Sequence, residues 1–222
     1  ACAPFRRLHL CHHNLESISN NNSNARHNLL AEVCMAAKYE GDSIKTYYTQ
    51  HQQTNNDSAS QLCTVLARSF ADIGDIVRGK DLFLGNDEEK EQRKKLEKNL
   101  KTIFTQIYND VTSVRTNGAE ELQKRYKGDT DNYYKLREDW WTANRHTVWK
   151  ALTCSEQLSN SKYFRATCNI SRDNEKTGTQ ASHKCRCDDK TSGGKAGNGD
   201  VNIVPTYFDY VPQYLRWFEE WA

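Results

Sequence analysis

Leu62-Cys-Thr-Val-Leu-Ala-Arg-Ser-Phe-Ala-Asp-Ile-Gly-Asp-Ile76 decides how the chain is read. Leu62, Val65, Leu66, Phe70, Ile73 and Ile76 recur at helical intervals, with the small Ser69 on the same stripe. Ser58-Ala-Ser-Gln61 just before it has capping-box spacing, which would satisfy the exposed donors of a helix start. Gly74 interrupts the stripe without ending it, and Gly79 or Gly85 is the expected stop. Arg68, Asp72 and Asp75 ride beside the apolar positions. Two carboxylates this close can serve acid/base chemistry, but nothing nearby marks a nucleophile or a pocket. Interhelical ion pairs are therefore the expectation, here and for Arg137, Glu138, Asp139 and Arg145.

The same period extends outward in both directions. With only three prolines (Pro4, Pro205, Pro212), long helices are permitted over residues 5–204. Leu29, Leu30, Val33, Cys34 and Ala37 predict a helix from about Asn28 to Tyr39, stopped by Gly41, with a short helix from Ser43 to about Gln50. Asn86 or Asp87 can cap a long helix, and Glu88 and Glu89 suit its positive end. Leu96, Leu100, Ile103, Ile107, Val111 and Val114 give that helix a near-heptad stripe, widened by Phe104. Ala119 to Tyr126 reads as a short helix. A further long one, Asn132 to Leu152, shows Tyr133, Leu136, Trp140, Asn144, Val148 and Leu152 on a broad face, leaving Trp141 as the tryptophan expected at the surface. Residues 170–204 read as irregular, and Thr191 to Gly199 as a glycine-rich loop, not a phosphate loop. Pro212 can open a final helix with Tyr214, Leu215, Phe218 and Trp221. The class is mainly α.

The core is lean: 36% of the 222 residues are hydrophobic and mean hydropathy is −0.90. Five tryptophans partly compensate, and disulfides would supply more. The eight cysteines leave the middle of the chain empty. Cys2, Cys11, Cys34 and Cys63 precede it; Cys154, Cys168, Cys185 and Cys187 follow it. A Cys63–Cys154 bond would close a loop of roughly 90 residues, about 4–5 kcal/mol in the chain-entropy view, but each could instead take a nearer neighbour. Cys34 could take Cys2 or Cys11, while Cys185 and Cys187 each call for a distant partner. Zinc-ribbon spacings are absent.

Thirty-one basic and 29 acidic residues leave a net charge of +2, which argues against a nucleic-acid binder. No apolar run approaches the ~20 residues needed to span a bilayer. No signal peptide opens the chain, the closing segment stops inside what reads as a helix, and both ends look cut from something longer. Esterase, metalloprotease and dinucleotide motifs are missing, so neither catalysis nor a cofactor is expected. The one cluster that suggests a ligand is Lys90, Arg93, Lys94, Lys98 and Lys101, which could meet a sulfated glycan or a phosphate-rich surface. Interleaved Glu88, Glu89, Glu91 and Glu97 are equally compatible with a solvated face. Arg6 and Arg7 form a smaller basic cluster. Asn21, Asn56 and Asn169 head N-glycosylation patterns.

Several blocks occur together and in order: Cys2-Ala-Pro-Phe-Arg-Arg-Leu-His-Leu-Cys11, Leu30-Ala-Glu-Val-Cys34, the 62–76 segment, Leu136-Arg-Glu-Asp-Trp-Trp141, Asn144-Arg-His-Thr-Val-Trp149, and Pro205 to Trp221. They resemble the Duffy-binding-like domain, alpha class, of the malaria-parasite erythrocyte membrane protein 1 family. The resemblance implies disulfide-tied helical bundles in three subdomains: an irregular N-terminal part (1–54) carrying Cys2, Cys11 and Cys34, a central bundle (55–154), and a partial third (155–222) with a long variable loop. It also implies a Cys63–Cys154 bundle disulfide, and a third subdomain cut short, with a usual partner of Cys168, Cys185 or Cys187 missing.

The function the resemblance implies is adhesion. The domain would sit on the outer face of the infected red cell, within a larger membrane-anchored protein. It would bind host receptors or glycans, meet antibodies, and adjoin a cysteine-rich interdomain region. A structural and antigenic spacer is the alternative; a secreted enzyme using a His/Asp/Glu site is the third reading.

Overall fold

The computed structural model of the chain describes residues 2–18, 24–54, 59–113, 118–168, 178–181, 183–187 and 204–222. The capping box at Ser58, Val114, the loop over 191–199 and the three glycosylation patterns lie outside these residues in whole or in part. Among the described residues there are eight α-helices: α1 Phe5–Leu8, α2 His13–Glu16, α3 Ala25–Thr54, α4 Ala59–Arg78, α5 Asp87–Val111, α6 Ala119–Arg125, α7 Tyr134–Leu152 and α8 Gln213–Trp221. Short 3-10 turns cover Glu156–Leu158 and Phe208–Tyr210. There is no strand among those residues, only the isolated bridges Cys168–Thr179 and His183–Arg186.

Helices α3, α4, α5 and α7 form the bundle, with α3 packed on α4, α5 and α7. Their apolar stripes meet in one continuous core running from Leu10 to Val204. At its centre the Phe70 ring lies 5.1 Å from both Trp141 and Trp149, and Phe104 meets Trp140 edge-on at 6.3 Å. Such pairs add about 0.5–1.5 kcal/mol each beyond area burial.

The sequence reading needs four corrections. First, α3 does not stop at Gly41 but runs through it for 30 residues, absorbing the separate Ser43–Gln50 helix and carrying Cys34. Gly41 instead permits close approach: a Cβ there would overlap the carbonyl oxygen of Leu152 on α7. Gly74 does the same for Trp141, whose Cζ2 lies 2.7 Å from where a Cβ would sit. Gly79, at φ +72°, does end α4 as expected.

Second, Trp141 is fully buried. The buried positions of α7, from Leu136 to Leu152, span an arc of about 220° at ~100° per residue, so a helix packed on several sides hides residues that a single stripe leaves out. Third, Cys63 pairs with Cys185, not Cys154, and Cys168 pairs with Cys187. Cys154 lies just past the last turn of α7 and faces solvent. Cys185 is buried and pinned by its backbone, its N–H donating to Ser161 O (2.9 Å) and its carbonyl accepting from Trp149 Nε1 (3.1 Å). Fourth, Cys2, Cys11 and Cys34 are free thiols, as is Cys154, so Cys34 takes neither proposed partner.

The anticipated ion pairs are present, and they extend to both ends of the chain. Asp72 accepts from Arg6 (2.7 Å) and Arg216 (2.8 Å); Asp75 accepts from Arg78 (2.8 Å) and Arg216. Trp141 Nε1 and Arg145 converge on the buried Asp209 at 2.7–2.9 Å. Arg78 also reaches the Asp209 carbonyl, so the 208–210 turn is anchored on α4 and α7. Burial works to raise Asp72, but Arg6 and Arg216 outweigh it and hold the carboxyl below its ordinary value. Burial pushes Asp75 up to about 6 against the pull of Arg216 and Arg78, with neighbouring Asp72 adding to the rise.

Two expectations follow from this packing. Gly41→Ala in a free helix would gain roughly 1 kcal/mol of propensity, but the overlap with Leu152 should reverse the sign and cost about 1–3 kcal/mol. Chemical denaturation decides it, and a stabilised variant would refute the close-approach role. For Asp75, the folded state keeps its proton up to about pH 6 while the unfolded chain gives it up near 3.8. The stability from that proton is full below about 3.8 and lost as pH rises through about 6. Between pH 4 and 7 the unfolding free energy of Asp75→Asn should therefore gain about 2–3 kcal/mol on the wild type, at about 1.4 kcal/mol per pKa unit. A difference that stays flat across that range contradicts the shift.

Candidate functional site

Helix α5 begins with a complete capping box: the Asn86 side chain accepts from Glu89 N–H (2.9 Å) and the Glu89 carboxylate from Asn86 N–H. Leu96, Leu100, Ile103, Phe104 and Ile107 bury one face. At about 100° per residue, Lys90, Lys94, Lys98 and Lys101 then fall within about 80° of one another on the outer face. All four are exposed. Lys90 pairs with Asp87 (2.9 Å) and Lys94 with Glu91 (2.6 Å), both exposed. Pairs of this kind contribute ~0–1 kcal/mol and exchange readily with another anion. Lys98 and Lys101 make no ion pair among the described residues.

Arg93 leaves this stripe. It turns inward and donates from Nη2 to the Asp81 backbone carbonyl (2.8 Å), with the Asp81 carboxylate 3.3 Å away. The sequence-predicted cluster is thus four lysines on one face and an arginine beside them.

The arginine opens onto a cleft of about 560 Å³ between α5, the 79–84 connection and the start of α7. Arg7, His12, Asp81, Phe83, Leu84, Lys90, Arg93, Lys94, Glu97 and Tyr134 are among its walls. Asp81 is its hub, accepting from Arg7 Nη2 (2.5 Å) and Gln213 Nε2 (2.8 Å) as well as facing Arg93. The Phe83 ring lies 4.5 Å from the Arg7 guanidinium carbon and 5.9 Å from that of Arg93. Glu97 is committed to Arg137 through two hydrogen bonds of 3.1 and 2.7 Å. Burial and the nearby Arg7 hold the His12 imidazole below its ordinary value.

Arg6 and Arg7 do not form an exposed basic cluster. Arg7 is 1% exposed, and Arg6 is spent on Asp72 and Glu220. Sequence reasoning missed Phe83, Leu84 and Tyr134, which come from one connection and a helix start and share no helical spacing. The one signal was Gly79: its positive φ places it where a Cβ would meet Arg137 Nη1 (2.6 Å) and Tyr134 Cε1 (3.0 Å). The described residues hold no group of three or more metal-ligating side chains, and no helix is long and apolar enough to cross a membrane.

A disulfide-tied α-helical domain with a lysine-striped outer helix is the class of protein that this fold and surface define. The Duffy binding domain model matches residues 1–216, and the chain belongs to that family. Among solved structures it is similar to the NTS-DBL1(alpha-1) domain of the Plasmodium falciparum membrane protein 1 (PfEMP1) from the varO strain, at 44% identity and TM-score 0.72, over 100% of this chain and 43% of that one. It is also similar to the PfEMP1 IT4var13 DBLbeta domain bound to ICAM-1, at 31% identity and TM-score 0.67, over 100% of this chain and 44% of that one. Among curated proteins, the Duffy receptor beta form of Plasmodium knowlesi is 26% identical over 176 residues, 75% of this chain and 12% of the relative. The alpha-class resemblance and the mainly helical, disulfide-bonded fold are borne out. The chain spans less than half the length of these solved chains.

Proposed function

We propose that the chain is a non-catalytic adhesion domain, displayed on the outer face of the infected red cell within a larger membrane-anchored protein. It binds a host-cell receptor or sulfated glycan through the outer face of α5. The observation that carries this reading is the alignment of Lys90, Lys94, Lys98 and Lys101, two of them without an ion pair among the described residues, on a helix whose opposite face is locked in the core. A related domain bound to ICAM-1 supports recognition of a host protein. Antibodies and an adjacent cysteine-rich region are the further partners of such a domain, and the division into 1–54, 55–154 and 155–222 remains its proposed organisation.

The test is heparin-column retention of the wild type and of the Lys94→Glu, Lys98→Glu, Lys101→Glu triple variant. The wild type should be retained and should elute with moderate salt, because exposed charges are screened beyond about 8 Å at physiological ionic strength. The variant should flow through with its helical circular dichroism intact. Equal retention of the two proteins rules out this face. A wild type that binds neither heparin nor red or endothelial cells favours the antigenic spacer.

A further inference from the structure

We propose that the groove passing from α2 over Phe83 to the start of α7 docks an extended segment of a partner protein, one that carries a basic and an acidic side chain a few residues apart. The cleft of about 560 Å³ beside α5 is not isolated. A second cleft of about 350 Å³ opens between α1, α2 and the first turns of α5, and His12, Phe83 and Arg93 line both. The two lobes share that wall, so a chain crossing it occupies both. About two to four extended residues, roughly 7–13 Å at ~3.3 Å each, are enough. An apolar side chain stands exposed in each lobe, Leu8 at 47% and Leu84 at 73%.

The lobes carry opposite charge. Glu16, Glu88 and Glu89 line the one on the α2 side, which has Arg93 as its one arginine and no lysine. Arg7, Lys90, Arg93 and Lys94 line the other, against Asp81 and Glu97. Both carboxylates of the basic lobe are engaged, Asp81 by Arg7 and Gln213, Glu97 by Arg137. Lys90 and Lys94 have exposed partners, Asp87 and Glu91, that lie outside both lobes. In the acidic lobe Glu89 is used by the helix cap, but Glu88 makes no ion pair among the described residues. Glu16 faces His12 and His13 at 3.5 and 3.6 Å. Burial and Arg7 hold His12 below its ordinary value, so at neutral pH that ring leaves the Glu16 charge standing. This pattern selects the class of partner. A sulfated or phosphorylated chain has one sign throughout and meets like charge in the acidic lobe, which disfavours it. A polypeptide carries both signs and apolar side chains on one backbone. Alternate side chains of an extended segment share a face, so a Lys-x-Glu or Arg-x-Asp spacing presents both charges to the groove. The proposal does not rest on the glycan reading of α5, since Lys98 and Lys101 lie outside both lobes.

The experiment is fluorescence-anisotropy binding of the full chain to capped, dye-labelled octapeptides. One set carries a Lys and a Glu separated by one to three residues, in both orders, with a Leu beside them; matched sets carry two Lys, two Glu or two Gln. The best mixed-charge peptide should bind saturably and at least tenfold more tightly than every like-charge or neutral one. Glu88→Lys should weaken that peptide at least tenfold and tighten the two-Glu set. Lys90→Glu with Lys94→Glu should weaken it as much and tighten the two-Lys set, with helical circular dichroism unchanged in both variants. Lys98→Glu with Lys101→Glu should leave peptide binding within twofold. Equal binding of mixed-charge and like-charge peptides overturns the groove, and so does a preference that neither charge reversal alters. Displacement of the peptide by a heparin-derived disaccharide assigns the groove to a glycan and overturns the protein partner. A wild type that binds the peptide but is not retained on heparin overturns the glycan reading of the α5 stripe alone.

Discussion

The bundle depends on two carboxylates one helical turn apart on α4. Asp72 and Asp75 are both buried, and a buried charge is tolerable only when paired and hydrogen-bonded. Their partners come from the two ends of the chain: Arg6 from α1, and Arg216 and Gln213 from α8. Arg78, from the last turn of α4 itself, links Asp75 to the carbonyl of Asp209. No apolar contact could impose the same register, because grease slides and a carboxylate between two guanidiniums does not. The arrangement is costly in isolation: burial outweighs two arginines at Asp75. Pairs like these are weak evidence for net stability, and removing one partner is far worse than replacing both. We read the network as fixing where the termini dock on the bundle.

This explains how a chain with mean hydropathy −0.90 still closes a core. Arg7, Arg78, Arg137 and Arg216 are among its largest fully buried side chains. Each lays its guanidinium near an aromatic ring at 4.5–5.9 Å: Phe83, Trp141, Phe104 and Phe208. Desolvated contacts of this type contribute about 2 kcal/mol or more, and the aliphatic stems of the arginines fill space as apolar side chains would. The hydropathy scale scores these residues as surface when they serve as interior.

What the sequence revealed follows the same line. Helix α5 was legible because it buries one stripe, and the stripe and the cap at Asn86 are local patterns; α4 was legible from its apolar period, although every residue from Ser69 to Arg78 is buried. Gly41 was not, because a glycine that ends a helix and a glycine that lets two helices touch look alike until Leu152 is placed beside it. Trp141 was misjudged because α7 has neighbours on several sides and a periodicity argument assumes one. The Cys63–Cys185 bond joins residues 122 apart through the irregular segment after α7, a return path that no spacing encodes. At the candidate site the four lysines were visible from their helical spacing. The cleft was not, since Arg7, Phe83, Arg93 and Tyr134 come from four separate segments.

Asp81 connects the scaffold to the surface. Its carboxylate accepts from Arg7, next in sequence to the Arg6 that binds Asp72, and from Gln213, whose amide also donates to Asp72. The two arginines of the cleft are therefore positioned by the same contacts that dock α1 and α8 on α4. A surface assembled this way has already ordered its buried arginine side chain when the domain folds, so a partner meeting it would not bear the roughly 0.5–1.5 kcal/mol of ordering that such a side chain otherwise costs on association. The outer lysines are different: they are exposed and their charges are screened by salt, which suits long-range attraction more than selection. Attraction resides in a replaceable stripe on α5, while shape resides in residues that the fold itself cannot release.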